Sequence, residues 1–234
     1  MKKIFSLAVV ALCVSMTANA QIGESKSKKI ETTVVSAAPN ANYNRIFIGY
    51  AQTHLSANDW FLNSYNKRDE AKSASLHGFT TGWMYGINVT KGKCLPLYVE
   101  PGAAINFGIG EAVTESEKIL SFEVPVNVTY RYKFPNTNIR ISPYMGIHFK
   151  VNILAMGEIR DESYNLFSSD DFKYSDGMNR FQMGMQLGAN FEFSRFFVGL
   201  GWNYDFIPIF SETIRKEDYN VTTSGVRVKL GLTF

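Results

Sequence analysis

Hydrophobic and polar residues alternate with a period of two along most of the chain. In residues 181–194, FQMGMQLGANFEFS, each odd position is apolar and each even position is polar or glycine. Such alternation predicts β-strands with two chemically different faces. Seven more segments share the pattern, so we predict eight strands in all. The other seven cover residues 45–55, 76–89, 95–109, 120–134, 139–152, 196–206 and 225–234.

The connections between these segments alternate strictly between short and long. This arrangement is typical of an up-and-down barrel that has tight turns at one rim and loops at the other. We therefore predict an all-β fold, an eight-stranded antiparallel up-and-down barrel over residues 44–234. The short turns are predicted at 90–93, 135–138 and 194–195, and the longer polar loops at 56–75, 110–119, 157–178 and 209–220.

The polar face of the predicted strands decides which side of the barrel is inside. It interleaves charged residues with glycine, which weakens a strand and which a water-facing surface does not need. A narrow eight-stranded lumen does need it, because small residues leave room for long charged side chains to pair. We therefore predict a transmembrane β-barrel with its apolar face against lipid and an ion-pair plug in place of an open pore. The inward charged residues are then Glu100, Glu123, Arg131, Lys133, Arg140, Lys150, Glu192, Asp205, Arg227 and Lys229.

Strand length and composition favour the same interpretation. Most segments exceed the roughly 9 to 11 residues that a tilted membrane strand needs, whereas strands of soluble proteins typically have about 5 to 6. Aromatic residues make up 14% of the chain, and they gather near strand ends, as suits a membrane interface. The 18 glycines, 18 phenylalanines and 12 tyrosines also favour strands and turns over helices.

The start of the chain is typical of an exported protein. Two lysines, an apolar run and small residues at its end predict a secretory signal peptide over residues 1–20. Residues 21–43 are polar without a sustained period, so we predict a flexible periplasmic leader. Cleavage removes two of the positive charges and lowers the formal charge from +3 to +1, which indicates no nucleic-acid partner. Cys94 is then the only cysteine, so no intramolecular disulfide can form and we expect a free thiol.

The last segment, GVRVKLGLTF at 225–234, alternates to its end at Phe234. Together with the earlier alternation and the signal peptide, this ending resembles bacterial outer membrane β-barrel proteins, whose final strand characteristically ends in an aromatic residue. The chain is most similar to the small eight-stranded OmpA/OmpX type and to the PorT-like "outer membrane protein β-barrel domain" group common in Bacteroidetes. The resemblance implies a location in the outer membrane, contact with its lipid, and recognition of Phe234 by the barrel-assembly machinery.

Candidate chemistry is sparse in this sequence. His54, His77 and His148 share no metal-ligand spacing, and neither H-E-x-x-H nor C-x-x-C occurs. We expect a structural hydrogen-bonding role for His148, and no catalytic, cofactor or metal site. Loops 56–75 and 157–178 mix aromatic and charged residues, and binding residues concentrate on loops carried by rigid scaffolds. We expect these loops to contact a surface protein or lipopolysaccharide.

These patterns favour a monomeric, non-enzymatic membrane barrel with a structural, interaction or secretion-supporting role exercised through its outer loops. Two alternatives stay open. An enzyme at the outer rim would need a nucleophile, a base and an orienting acid to converge, and Ser56, His54 and Asp59 lie near one rim. A soluble secreted ligand-binding barrel would instead line an internal cavity with the apolar face.

Overall fold

The computed structural model describes residues 41–56, 75–90, 96–111, 116–159, 162–168, 178–214 and 217–234. All of them lie in one compact unit, Ala38–Phe234. The predicted signal peptide, nearly all of the predicted leader, Asp59 and Cys94 lie outside the described residues. Among the described residues, no helix is long and apolar enough to cross a membrane.

The described residues form eleven strands, of which eight are long. The short strands β5 (Tyr132–Lys133), β7 (Glu162–Asn165) and β10 (Phe210–Ile214) extend the sheet, the first two along β6 and the third along β11. The long strands are β1 (Tyr43–Ser56), β2 (Ser75–Asn88), β3 (Leu97–Glu111), β4 (Ser116–Tyr130), β6 (Ile139–Ile159), β8 (Phe181–Phe193), β9 (Phe196–Asp205) and β11 (Glu217–Thr233).

The eight long strands close into a barrel. Each pairs antiparallel with the next long strand along the chain, and β1 also pairs with β11 in a register that runs from Arg45↔Thr233 to Ser56↔Thr222. The seam continues at its end, where the Asn44 amide donates to the Phe234 carbonyl at 2.7 Å and the Phe234 amide donates back at 2.9 Å. A sheet closed in this way has no free edge. The predicted eight-stranded antiparallel up-and-down barrel is confirmed.

The two faces of the strands lie as predicted, with the polar face inside. In β8, Gln182 and Glu192 are buried, whereas Phe181 and Phe193 are 47% and 66% exposed on the outer surface. The same separation holds in the other long strands, where the exposed large apolar residues occupy alternate positions. A soluble barrel with an apolar ligand cavity requires the opposite orientation.

Several strands are longer than the alternation predicted, and in β6 a bulge hides the continuation of the pattern. Leu120 of β4 pairs with Leu154 of β6, but the next residue, Ser121, pairs with Asn152. Ile153 is therefore an extra residue, and both Ile153 and Leu154 are exposed. Beyond the bulge the alternation resumes in the opposite phase, so β6 runs on to Ile159, inside the predicted loop 157–178. Parts of the predicted loops 110–119 and 209–220 are also strand.

Two of the three predicted short turns are confirmed. The turn 194–195 joins β8 directly to β9, and 135–138 lies just before β6. Asn136 and Ser194 adopt left-handed backbone conformations, with φ of 57° and 56°, as tight strand connections often require. The third turn, at 90–93, lies mostly outside the described residues.

Glycines on the inward face make room for large inward side chains. Tyr43, assigned above to the leader, lies in β1 and pairs with Gly86 of β2. A Cβ atom at Gly86 would overlap the Tyr43 ring, and one at Gly201 would overlap the Tyr144 hydroxyl. The glycine-rich polar face is therefore a packing requirement of this interior.

We predict that Gly86→Ala lowers the free energy of unfolding by about 1–3 kcal/mol, because the new methyl group displaces the Tyr43 ring. Gly108→Ala is the matched control, since the nearest atom to its Cβ would be Leu76 Cβ at 3.4 Å. That substitution should raise stability by up to about 1 kcal/mol through lower chain entropy. Denaturant unfolding followed by tryptophan fluorescence measures both, and equal effects would contradict the packing role of Gly86.

Candidate functional site

The interior of the barrel is the candidate functional site, and its side chains are arranged in layers. One rim carries the turns 135–138 and 194–195 together with Tyr43 and Phe234, and we call it the short-turn rim. The opposite rim, where the longer connections leave the barrel, is the long-loop rim. The layers are described from the short-turn rim upward.

Four charged residues, Arg45, Glu100, Arg131 and Glu192, form what we call the short-turn network. Arg45 Nη1 lies 2.6 Å from Glu100 Oε1, and its Nη2 bonds to Glu192 Oε1. Arg131 Nη2 donates to Glu192 Oε2 at 2.6 Å, so Glu192 lies between two guanidinium groups. The side chains of Arg45, Glu100 and Glu192 are at most 2% exposed. This layer is therefore a buried, balanced set of two positive and two negative charges.

Hydroxyl groups occupy the remaining acceptor positions of the two carboxylates. Tyr43 Oη donates to Glu100 Oε1, and Thr129 Oγ1 donates to Glu100 Oε2 at 2.7 Å. Ser142 Oγ donates to Glu192 Oε1 at 2.8 Å. Both carboxylates thus combine ion pairs with neutral hydrogen bonds, the condition under which a buried charge is tolerated.

The middle of the lumen contains one bidentate ion pair and one ammonium held by aromatic rings. Arg227 donates to both oxygens of Glu123, at 2.7 and 2.6 Å. Lys229 Nζ lies 4.8 Å from the centre of the Phe47 ring and 5.6 Å from that of Tyr144. Within the described residues Lys229 has no carboxylate at salt-bridge distance, and both rings lie within the range of cation–π attraction.

Asp205 is the centre of the next layer. It accepts hydrogen bonds from Lys150 Nζ and His148 Nε2, each at 2.5 Å, and from Thr223 Oγ1. Gln182 Nε2 also donates to Asp205, at 3.4 Å. His148 is fully buried and takes part through this hydrogen bond, which agrees with the hydrogen-bonding role expected from the sequence.

An apolar cluster closes the lumen at the long-loop rim, and we call it the outer cap. Its members come from β1, β2, β4, β6 and β11 and from the connecting segments. The connecting segments are held by backbone bonds, since the Leu166 amide donates to the Ala155 carbonyl at 3.1 Å and the Met178 amide to the Leu166 carbonyl at 2.7 Å. The cap consists of Leu55, Leu76, Ile119, Ala155, Leu166, Met178, Ile209 and Val221.

Most of the inward charges predicted from the sequence reach these layers, but two do not. Lys133 is exposed, and the Arg140 side chain is 30% exposed, 3.9 Å from Glu192 at the edge of the short-turn network. Sequence reasoning missed Arg45, although it occupies an inward position between outward neighbours in the alternation. It also missed the outer cap, whose residues lie where loops were predicted or at strand ends.

The residues considered for a rim enzyme were Ser56, His54 and Asp59, of which the structure describes Ser56 and His54 and does not bring these two into contact. His54 Nδ1 lies 3.4 Å from Ser75 Oγ, while the His77 Nδ1 contact is with the Tyr50 hydroxyl at 2.5 Å. No contact between His54 and Ser56 side chains is found in the described residues. In that part of the chain no group of three or more His, Cys, Asp and Glu side chains could hold a metal ion.

Comparison with known proteins identifies the family. Residues 15–211 match the family model described as "Outer membrane protein beta-barrel domain". The chain belongs to this family. Its location is therefore the outer membrane, and the resemblance of the chain to outer membrane β-barrel proteins is confirmed. No curated protein matches the chain.

Three solved structures are among those to which this chain is similar. Neisserial surface protein A (NspA) has a TM-score of 0.50 and 12% identity, over 82% of this chain and 97% of that one. Ail, the attachment invasion locus protein of Yersinia pestis, has a TM-score of 0.42 and 15% identity, over 82% and 99%. OprG from Pseudomonas aeruginosa has a TM-score of 0.43 and 12% identity, over 83% and 96%.

Because the chain belongs to an outer membrane family, the orientation of the barrel across the membrane can be assigned. Short turns lie on the periplasmic side of such barrels and longer loops outside, so the short-turn network is periplasmic and the outer cap extracellular. The exposed apolar face meets hydrocarbon. Trp83, Tyr85 and Phe193 lie near the periplasmic strand ends, where aromatic residues suit the interface.

We predict that arginine on the outward face of β8 destabilises this outer membrane barrel in a depth-dependent way. Leu187 lies halfway along β8 and Phe193 at its periplasmic end. Leu187→Arg should cost about 2–4 kcal/mol because it places charge near the bilayer midplane, and Phe193→Arg about 0–1 kcal/mol. Unfolding by denaturant in lipid vesicles measures both. Equal costs would contradict this placement of β8.

We also predict strong coupling between Glu123 and Arg227. Either Glu123→Gln or Arg227→Met alone should cost about 3–5 kcal/mol, because each leaves a buried group without its partner. The double variant should cost clearly less than the sum, as a double-mutant cycle in denaturant would show. Lys118→Met is the control: its pair with Glu158 has 42% exposed side chains, and its loss should cost about 0–1 kcal/mol. Additive effects at 123 and 227 would refute the coupling.

Proposed function

We propose that this protein is a closed, non-enzymatic outer membrane barrel that acts through its extracellular loops. The observation that supports this most is the filled interior. From the periplasmic end, a solute would meet the short-turn network, the Glu123–Arg227 pair, the Asp205 network and the outer cap. The three charged layers are bonded across the lumen, so opening a path through them requires breaking buried ion pairs, and the apolar outer cap would also have to be unpacked.

With no solute path, the surfaces left for function are the rims and the outer wall. We propose that loops 56–75 and 157–178 contact a surface protein or lipopolysaccharide. The described part of the second loop is anchored on the barrel, because Leu166 and Met178 belong to the outer cap and Arg180 lies 4.0 Å from the centre of the Phe167 ring. A rigid base of this kind is how scaffolds present binding loops. Support of secretion, which the PorT-like resemblance implies, would be one form of this interaction role.

Within the described residues, the rim geometry supports an interaction role better than catalysis. His54 and Ser75 are at the outer limit of hydrogen-bond distance, at 3.4 Å. An activated serine also needs an orienting acid for the base and donors for an oxyanion. The described contacts of His54 contain neither, which favours a non-enzymatic protein.

The closed lumen predicts that the refolded protein forms no large, stable conductance steps in planar bilayers. Vesicles containing it should also exclude small sugars in a swelling assay. A heat-dependent shift in gel mobility, measured on the same vesicles, shows that the barrel has inserted and folded. Large stable steps or rapid sugar entry in such vesicles would refute the closed-barrel proposal and favour a diffusion channel.

A further inference from the structure

A groove of about 610 Å³ runs along the outer surface of the barrel across β11, β1, β2, β3 and β4. That volume lies within the roughly 300–1,000 Å³ typical of small-ligand sites. Its walls are bulky outward residues, among them Ile46, Trp83, Phe122 and Leu230. The groove is thus a concave site on the surface that faces lipid.

The groove exists because two outward positions in adjacent strands carry small side chains. Thr81 of β2 pairs with Ile105 of β3, and the next outward pair is Trp83 with Ala103. Gly82, between Thr81 and Trp83, contributes only backbone to the lining, and so does Gly231 of β11, on the other side of β1. A smooth apolar wall would need large residues at 81 and 103.

The lining offers an occupant almost no hydrogen bond. Its one side-chain hydroxyl, Thr81 Oγ1, already donates to the Phe47 carbonyl at 2.9 Å. A sugar, a peptide or a lipid headgroup placed there would leave its own polar groups unsatisfied, at a cost of about 1–3 kcal/mol each. The chemistry therefore selects a hydrocarbon chain.

The position of the groove selects the leaflet. At its periplasmic end Trp83 Nε1 donates to Asn44 Oδ1 at 3.0 Å, and nearby Asn42 Nδ2 donates to the Tyr85 hydroxyl at 3.1 Å. Such polar tips on tryptophan and tyrosine mark the membrane interface. From Trp83 the groove extends toward Ile48 and Ile105, in the direction of the bilayer midplane.

We propose that this groove binds one acyl chain of a periplasmic-leaflet phospholipid, with the headgroup at the level of Trp83 and Asn44. The groove is continuous with the lipid-facing surface, which is already an interface with the bilayer. A second copy of the barrel fits less well, because a symmetric contact would place one concave surface against another. The proposal depends on the outer membrane location and not on the closed lumen, so a conducting barrel would leave it standing.

Native mass spectrometry of the full-length barrel in mild detergent tests the site. Wild type should retain one phospholipid, and Ala103→Phe, which fills the groove, should lose it. Ala189→Phe is the matched control, since Ala189 is an outward position on β8, away from the groove, and that variant should retain the lipid. Equal retention by the two variants, a wild type without lipid, or a wild-type dimer in place of the lipid adduct would overturn the proposal.

A second measurement does not depend on the folding of Ala103→Phe. Two single-tryptophan barrels, one with only Trp83 and one with only Trp202, are reconstituted with a phospholipid brominated on its acyl chains and then transferred to detergent. Trp83 lines the groove, whereas Trp202 lies on the outward face of β9 and outside it. Fluorescence of Trp83 should stay quenched while that of Trp202 recovers. Full recovery of both would show that no chain is retained and would reject the site.

Discussion

Glu123 and Glu192 have fully buried side chains in a barrel whose interior is only wide enough for side chains. A carboxylate in such a place costs several kcal/mol unless it is paired and hydrogen-bonded. The partners come from the other side of the lumen: Arg227 on β11 reaches Glu123 on β4, and Arg45 on β1 reaches Glu192 on β8. These strands are not neighbours in the sheet. Charge pairing therefore ties together strands that backbone hydrogen bonds do not connect.

The same constraint explains the composition of the strands. A chain that presents an apolar wall to lipid would be strongly hydrophobic if its inner face were apolar too, yet the mean hydropathy of this protein is only −0.10. The polar inner face offsets the apolar outer one. Its long charged side chains and rings then need space, which glycine provides at positions such as Gly86 and Gly201. Alternation, charge pairing and glycine content are consequences of one narrow lumen.

Much of this could be predicted from the sequence, because period-two alternation reports directly on the two faces of a strand. The strand number, the polar interior and the short turns at 135–138 and 194–195 all follow from it. The alternation fails where the backbone is irregular. The extra residue Ile153 reverses the phase in β6, and the pattern then no longer indicates a strand although pairing continues to Ile159.

Other features were hidden because their cause is a contact between distant residues. Tyr43 follows a polar segment, and the sequence pattern assigns it to that segment. In the structure its ring packs against Tyr98 and its hydroxyl donates to Glu100. Leu166 lies in a predicted loop, but it is fully buried because Ala155 and Met178 meet it over the lumen. The local alternation of apolar and polar residues does not indicate either contact. The contacts of Tyr43 and the outer cap are therefore features that the structure adds.

The interior packing and the outer groove are linked through two glycines. From inside, the Phe47 ring packs against Gly82 and the Phe197 ring against Gly231, and a Cβ atom at either glycine would lie within 2.8 Å of the ring. From outside, the same two glycines line the groove. Glycine at these positions leaves space in the lumen for large rings. On the lipid side, the small outward residues beside Gly82 leave the backbone of the sheet without covering side chains. One set of residues therefore contributes both to a filled interior and to a concave exterior.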